Sequence, residues 1–395
     1  MGMSLLPAHI LEGKTPEWWL DNFDRKPIGT GPFKFHSWKT SQYIRLVRNP
    51  DSFLAPAPWF DGVSYRIIGD RLAQRLAFET RQMDYWVADL WAVGAFQDDP
   101  RFDVFASVEP SYSYIGWNLR RAPFDDERVR RALSHAVNVP EIIKFLLYDR
   151  AAPSTGNFTS RQWFFNPDIQ PVAYDKNVAR RLLADVGWVP GPDGILQKDG
   201  RRFAFTLIAP SGSEILRDIA TLVQSNLKAI GIEMKIELYE WSVFLRNHVD
   251  KGEFDAVALS WSLGLSYDQY QIWHSSQTNP EQLNFVGYKN PQLDTLLEEI
   301  RQEYHRDEII ALAGRIQRTI FTDQPYLFLF VPQGTYVLWK NTFRIRRPDA
   351  ETGKWLDTPI EMTKYGWDYF SDYFYRPEFV ERLPQTNECK HTLER

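Results

Sequence analysis

The sequence predicts an α/β protein in which mixed, partly parallel sheets are flanked by helices. Strand-like and helix-like patterns alternate along residues 63–332, and this alternation is typical of strands joined by helical crossovers. The chain has 395 residues, 44% of them hydrophobic and 25% charged, which suits a folded protein of roughly two domains. No apolar run reaches the ~20 residues of a membrane span, so we expect no direct membrane insertion.

The first regular structure follows two glycines in the stretch 27–50, "PIGTGPFKFHSWKTSQYIRLVRNP". A phosphate-binding loop needs Lys and then Ser or Thr after the glycines, whereas here Pro32 follows and removes a backbone donor. We therefore interpret Gly29 and Gly31 as a tight turn, free to adopt positive φ, that leads into a β-hairpin over 33–48.

Helical and strand-like segments alternate in the next hundred residues. The pattern predicts a strand at 63–68, a helix carrying Leu72, Leu76 and Ala77, a strand at 84–88 and an extended segment at 102–119. Asp125 and Asp126 then cap a helix that turns Val129, Leu133 and Val137 inward, and a second helix begins at Pro140.

The second half of the chain continues the alternation. The sequence predicts a helix at 175–188 closed by Gly187, and a hairpin around Asp199 and Gly200. The next helix carries Ile215, Ile219, Leu222 and Leu227 inward and ends at Gly231. There follow a helix at 242–250, the strand "FDAVALSWS", helices at 291–304 and 306–321, and the strand "YLFLFVP".

Composition excludes several classes of partner and site. The net charge is −5 without a long run of one sign, so we expect no nucleic-acid partner. The single cysteine, Cys389, rules out an internal disulfide or a thiolate metal cluster. The amino terminus lacks a charged segment followed by a long apolar segment, so we expect no export signal in this chain.

Enzyme motifs are equally sparse, and we expect no cofactor, no metal and no catalytic residues. The seven histidines are scattered without a metal-binding spacing, and His274 is interpreted as a helix-face residue. No nucleophile elbow occurs. Aromatic residues make up 15% of the chain, so a carbohydrate-binding protein or a glycoside hydrolase with an aromatic cleft stays open as an alternative, although no carboxylate pair is singled out.

Several blocks of the sequence, in the same order, resemble the family 5 extracellular solute-binding proteins, the oligopeptide, dipeptide and nickel receptors of ABC importers. The blocks are "IGTGPFKFHSW", "YIGWNLRRAPFDDERVRRALSHAVNVPEII", "LVQSNLKAIGIEMKIELYEWSVF", "GEFDAVALSWS" and "FTDQPYLFLFVP", with shorter ones between them. Each block is weak alone, and their shared order carries the resemblance.

The resemblance implies a two-lobed fold like that of periplasmic binding proteins, of class II and cluster C type. It places an incomplete first lobe at 1–121, a ligand-binding second lobe at 122–331, and a return crossing with a tail at 332–395. Because relatives have further sequence before these blocks, it also implies an unfinished first lobe in which Phe33, Phe35, Trp38 and Trp59 are exposed. Such a chain is expected to aggregate or dimerise.

Candidate ligand contacts also follow from the resemblance. It puts Trp261, Ser262 and Leu263 at a cleft between the lobes, because the family builds one wall from the end of this strand. Peptide receptors hold the ligand amine with an Asp soon after this Trp. Here Gly264 takes that position and the nearest carboxylate is Asp268, which leaves open a ligand without an ammonium group. The other candidates, at the two crossings between lobes, are Tyr112, Tyr114, Asn118, Pro332 and Gln333.

The expected function is therefore that of a non-catalytic solute-binding subunit. Its parent would capture a peptide-like or other small polar solute outside the cytoplasm and deliver it to the membrane subunits of an ABC permease. Specificity would come from the side chains that line the cleft.

Overall fold

The computed structural model describes residues 6–53, 57–264, 266–349, 351–362, 374–378 and 383, so Cys389 lies outside the described part. Its strands are β1 (Phe33–Lys39), β2 (Tyr43–Arg48), β3 (Gly62–Arg66), β4 (Tyr85–Val87), β5 (Phe102–Val108), β6 (Ser111–Trp117), β7 (Ala151–Pro153), β8 (Val189–Pro190), β9 (Leu196–Lys198), β10 (Arg201–Arg202), β11 (Ala204–Pro210), β12 (Glu233–Tyr239), β13 (Ala256–Ser262), β14 (Tyr326–Trp339), β15 (Arg344–Pro348), β16 (Trp355–Pro359) and β17 (Phe374–Tyr375).

The helices alternate with these strands through most of the chain. They are α1 (Ala8–Leu11), α2 (Pro16–Asn22), α3 (Arg71–Glu79), α4 (Gly94–Gln97), α5 (Glu127–Ala136), α6 (Val139–Leu146), α7 (Lys176–Asp185), α8 (Glu214–Lys228), α9 (Trp241–Val243), α10 (Tyr270–Trp273), α11 (Pro291–Ile300) and α12 (Arg306–Asp323). A π-helical turn, Phe244–Val249, continues α9.

The chain forms two compact units. Unit 1 comprises Met1–Ser107 and Gly334–Arg395, and unit 2 comprises Val108–Gln333. The sequence-based division placed the two passages of the chain between units after residues 121 and 331 instead. The first passage comes earlier in the structure because β6 pairs with β13 and with the first half of β14, which makes it a central strand of unit 2.

Unit 2 is built on a mixed sheet in the order β12, β11, β13, β6, β14, with β7 paired to β14. β11 runs parallel to both β12 and β13, whereas β6 is antiparallel to its two neighbours. An aromatic core includes Tyr112, Tyr114, Trp273 and Tyr326, all almost completely buried. This sheet therefore fixes the position of every strand end considered below.

Local signals placed the helices of unit 2 correctly. The Asp126 side chain accepts the Arg128 N–H at the start of α5, and Val129, Leu133 and Val137 are buried as predicted. Asp199 and Gly200 both have positive φ in the hairpin between β9 and β10. The prediction for α8 was wrong at Ile215, which is exposed while Leu216 is buried, and Leu222 is only half-buried while Val223 is buried.

Unit 1 contains two three-stranded antiparallel sheets, β1-β2-β3 and β16-β15-β17. The second half of β14 pairs with β4, and a core of Phe78, Trp86, Phe96, Phe102 and Trp339 forms beside it. The hairpin over 33–48 is confirmed.

Two expectations about the start of unit 1 need correction. Neither Gly29 nor Gly31 adopts positive φ, because the loop is held instead by Asn49, whose Nδ2 donates to the Gly31 carbonyl at 2.9 Å. Trp59 is half-buried, since its Nε1 donates to the Arg346 carbonyl at 2.8 Å and its ring packs edge-on against Trp355.

Exposed apolar side chains are nevertheless frequent in unit 1. Trp38 is exposed, whereas Phe33 and Phe35 are half-buried. Leu72 and Leu76 on α3 are 64% and 59% exposed, because the helix turns Ala77 and Phe78 into the core. Among the described residues, no helix combines the length and apolarity that spanning a bilayer requires.

Candidate functional site

The carboxyl ends of β11, β12 and β13 lie at one edge of the unit 2 sheet, which we call the carboxyl edge. Because the three strands are parallel, this edge brings together Pro210, Tyr239 and Ser262. Open α/β sheets bind ligands outside the carboxyl ends of their strands. The carboxyl edge is therefore the first place to look for a binding site.

Most of the predicted site residues meet at this edge. Trp261 lies opposite Tyr112, and Ser262 lies opposite Ser111 at the start of β6. At the end of the β14 segment in unit 2, Pro332 lies opposite Ala151. Gln333 follows it, half-buried, and its N–H donates to the Arg150 carbonyl at 3.0 Å.

Trp261 is a half-buried aromatic residue held from behind by other rings. Its indole Nε1 donates to the Tyr326 hydroxyl at 3.3 Å. Its ring stacks on Phe285 at 6.0 Å and lies nearly parallel to Tyr114 at 6.4 Å. Tyr114 in turn stacks on Tyr326 with 4.0 Å between ring centroids. These contacts fix the orientation of the indole and leave part of it open to solvent, as a rigid apolar contact surface requires.

The backbone just after Trp261 is tied to the neighbouring strand. Ser262 is exposed, whereas Leu263 is buried and its N–H donates to the Pro110 carbonyl at 2.6 Å. The Gly264 carbonyl accepts a hydrogen bond from Gln162 Nε2 at 3.2 Å. The segment therefore leaves the sheet in a defined direction.

A buried loop at 154–166 supports this segment, and the sequence interpretation did not identify it. Asn157 and Gln269 form a reciprocal pair: Asn157 Nδ2 donates to Gln269 Oε1 at 2.6 Å, and Gln269 Nε2 donates to the Asn157 carbonyl at 2.9 Å. Trp273 Nε1 also donates to Gln269 Oε1. Asn157 and Gln269 are 112 positions apart, so no local sequence pattern predicts their contact.

Several buried polar atoms of unit 2 retain bonding capacity. The Tyr112 hydroxyl, Asn157 Oδ1 and Thr159 Oγ1 have no hydrogen-bond partner among the described residues. Burial raises the pKa of Tyr112, Tyr114 and Tyr326 above the ordinary value of 10.0. These phenols therefore stay protonated at neutral pH and act as neutral hydrogen-bonding groups.

Asp268 lies beyond the strand end, in the loop that follows it. One carboxylate oxygen is 3.2 Å from Arg301 Nε, and the other accepts the Tyr270 N–H at 3.0 Å. Arg301 was not among the predicted site residues, although it lies in the helix predicted at 291–304.

Asn118 lies at the opposite edge of the sheet and is not brought to the site. Its Nδ2 donates to the carbonyls of Gly252 and Phe254 at 2.9 and 2.8 Å, and its side chain is buried. In the sequence, a polar residue that follows a strand looks the same at either edge of a sheet. Only the order and register of the strands show at which edge it lies. The structure assigns Asn118 to the scaffold.

His274 is buried at the end of α10, which corrects its interpretation as a helix-face residue. Its Nδ1 lies 2.8 Å from Ser276 Oγ, and its Nε2 lies 3.3 Å from Glu298 Oε1. Within the part of the chain that the structure describes, no three His, Cys, Asp or Glu side chains form a metal-binding group.

Comparison with known proteins connects this architecture to one family. Residues 2–282 match the family model described as bacterial extracellular solute-binding proteins, family 5 Middle. The oligopeptide-binding protein AppA of Bacillus subtilis is 35% identical over 350 residues, covering 86% of this chain and 63% of that relative. The chain therefore spans less than two thirds of the length of that relative.

Solved structures give the same result for the fold. AppA from Bacillus subtilis in complex with a nonapeptide matches with a TM-score of 0.72 and 31% identity, over 94% of this chain and 72% of that chain. NikZ from Campylobacter jejuni in complex with Ni(L-His) matches with a TM-score of 0.73 at 23% identity, over 93% and 72%. These likenesses confirm the predicted periplasmic-binding-protein-like α/β fold, and the chain belongs to the bacterial extracellular solute-binding proteins, family 5.

Proposed function

We propose that this chain belongs to a non-catalytic solute-binding protein that captures a peptide at the carboxyl edge of unit 2. The parent protein would act outside the cytoplasm and deliver the peptide to the membrane subunits of an ABC permease. Family membership supports the class of function, and the 35% identity to an oligopeptide-binding protein favours a peptide over other solutes.

The observation that carries the site is the half-buried Trp261 with its ring fixed by Tyr326 and Phe285. An aromatic side chain that is already immobilised loses little conformational entropy when a ligand packs on it. Ser262 and Gln333 at the same edge add polar groups that can bond a peptide backbone.

No observation favours a glycoside hydrolase. Three carboxylates near the carboxyl edge are engaged inside the chain: Asp268 with Arg301, Glu237 with the Tyr239 hydroxyl, and Glu240 with the first N–H groups of α9. Glycoside hydrolysis needs a pair of carboxyl groups directed at the scissile bond.

A thermal-shift screen tests the proposal. The probes are mixed-sequence pools of di-, tri- and nonapeptides, nickel with histidine, haem, and an oligosaccharide mixture. A ligand at 100 times its Kd stabilises the folded state by about 2.7 kcal/mol, so a peptide pool that binds should raise Tm by several degrees.

The outcomes separate the classes of solute. A shift with peptides alone supports the proposal, and a shift with nickel–histidine or haem alone replaces the peptide by that solute. Hydrolysis of the oligosaccharides would contradict a non-catalytic role.

A further inference from the structure

The loop after β13 is bonded to the carboxyl end of α11. Arg301 Nε lies 3.2 Å from Asp268 Oδ2, and the Arg301 guanidinium lies over the Tyr270 ring at 4.6 Å. The same ring stacks on the imidazole of His274 at 4.0 Å, and His274 Nε2 is 3.3 Å from Glu298 Oε1. The end of this helix therefore holds the loop through Arg301, and Glu298 on its last turn lies close to His274.

Both oxygens of Asp268, the carboxylate nearest to Trp261 in the sequence, are bonded within the chain. Asp268 Oδ1 accepts the Tyr270 N–H at 3.0 Å while Oδ2 faces Arg301. An ammonium group of a ligand would have to compete with Arg301, which already neutralises this carboxylate and whose position at the carboxyl end of a helix is itself favourable for a cation.

Two other acidic side chains near the carboxyl edge are also bonded within the chain. Glu237 Oε2 accepts the Tyr239 hydroxyl at 2.6 Å, and Glu240 Oε2 accepts the Ser242 N–H at 2.8 Å. The carboxylate nearest to Trp261 in the sequence is thus already paired, whereas the aromatic ring of Trp261 and the hydroxyl of Ser262 are open to a ligand.

We propose that Arg301 and Asp268 are positioning residues for the loop beside Trp261, and that unit 2 binds its peptide without an ion pair to the α-ammonium group. The second half of this inference rests on the proposed function. It implies that peptides with a blocked amino terminus are bound as well as free ones, so the site accepts internal peptide segments.

The variants are Asp268→Asn, Arg301→Gln and Arg301→Lys, with Asp255→Asn as a matched control. Asp255 at the other end of β13 also pairs with an arginine, Arg121 Nη1 at 2.9 Å, and also accepts a backbone N–H, that of Thr206 at 3.1 Å. The side chains of both pairs have similar exposure, 47% and 28% for Arg301 and Asp268 against 47% and 33% for Arg121 and Asp255.

The first measurement is competition between free and N-acetylated peptides. The unmodified chain is mixed with an equimolar pool of mixed-sequence nonapeptides in both forms, and the retained peptides are counted by mass spectrometry. We expect a retained ratio near one. A charged hydrogen bond to the amine would favour the free form by about tenfold or more. Such an excess, lost in Asp268→Asn, would overturn the inference.

The second measurement is hydrogen exchange in 266–277, with retention of both peptide forms. Arg301→Gln and Asp268→Asn should speed exchange there and lower retention of both forms equally, by about twofold to fivefold. Arg301→Lys should restore part of the loss, and Asp255→Asn should change neither quantity. Equal effects of Arg301→Gln and Asp255→Asn on the loop would refute the positioning role.

The two proposals fail in different ways. A chain that retains no nonapeptide of either form contradicts the proposed peptide-binding function. The positioning role of Arg301 is then still decided by hydrogen exchange, since that measurement needs no ligand.

Discussion

The amino and carboxyl ends of β13 belong to one sheet, yet their polar groups are bonded very differently. At the amino end, Asn118 donates to two buried carbonyls and Asp255 accepts from Arg121 and from the Thr206 N–H. At the carboxyl end, Ser262 is exposed and Trp261 is half-buried. The hydroxyl of Tyr112, across from Trp261, has no partner among the described residues.

This difference separates scaffold from site within one unit. The named polar side chains at the amino end are bonded within the chain, although the buried Trp117 Nε1 there has no partner among the described residues. The carboxyl end differs in its exposure, because exposed Ser262 and half-buried Trp261 can contact a ligand. The four predictions below test that separation.

The largest expected effect is on folding, from Asn118→Ala at the amino end. Loss of its amide leaves the carbonyls of Gly252 and Phe254 without this donor, and we expect the free energy of unfolding to fall by about 3 kcal/mol. Asn22, whose Nδ2 donates to the Trp18 carbonyl on the surface, is the matched control, and Asn22→Ala should cost less than about 0.5 kcal/mol. Urea denaturation measures both, and equal losses would contradict a scaffold role for Asn118.

The second effect is on binding, from Trp261→Ala at the carboxyl end. If Trp261 is a binding anchor, peptide affinity should fall by about 2 kcal/mol with little change in Tm. Trp91→Ala is the control, because Trp91 is an exposed tryptophan of unit 1. Calorimetric titration and thermal denaturation of both variants distinguish a binding anchor from a core residue. A lower Tm with unchanged affinity would show that Trp261 serves the stability of the core.

The contrast between the two ends also shows what the sequence was able to predict. Helix caps such as Asp126 were found because the capping group and its N–H donor are two residues apart. Trp261 was found because it ends a strand and matches a family block. Both signals are local.

The missed contacts are non-local. Asp268 was chosen as the nearest carboxylate, but its partner Arg301 lies 33 positions later, and Asn157 and Gln269 are 112 positions apart. Asn118 was named as a candidate contact, and the structure puts it at the amino end of β13, because the strand order, not the sequence around it, decides which end of β6 faces the site. Exposure of Leu72 and Leu76 was also hidden, since a helix with correct spacing does not reveal which face is covered.

The third prediction compares two buried tyrosines of the aromatic core. Tyr326→Phe removes the acceptor for Trp261 Nε1 and should lower the free energy of unfolding by about 1 kcal/mol. Tyr112→Phe removes a hydroxyl without a partner and should be neutral within about 0.5 kcal/mol. Thermal denaturation of the two variants in parallel is the test. An equal cost for Tyr112→Phe would mean that its hydroxyl is bonded in the folded chain.

The smallest effect is a pH dependence of stability at the start of α5, which Asp126 caps. The hydrogen bond from the Arg128 side chain is the main cause that lowers the pKa of Asp126 below its ordinary value of 3.8. A lowered folded-state pKa means that the carboxylate stabilises the fold at neutral pH, and that this contribution is lost as the pH falls from about 4 through the folded-state pKa. Asp126→Asn keeps a good cap but loses the ion pair with the exposed Arg128, so we expect a cost of about 0.5 kcal/mol at pH 7 that becomes smaller at pH 3, below the ordinary pKa of 3.8. Urea denaturation of both proteins at the two pH values measures this difference. A cost that persists in acid would show that the cap geometry, and not the charge of Asp126, carries the stabilisation.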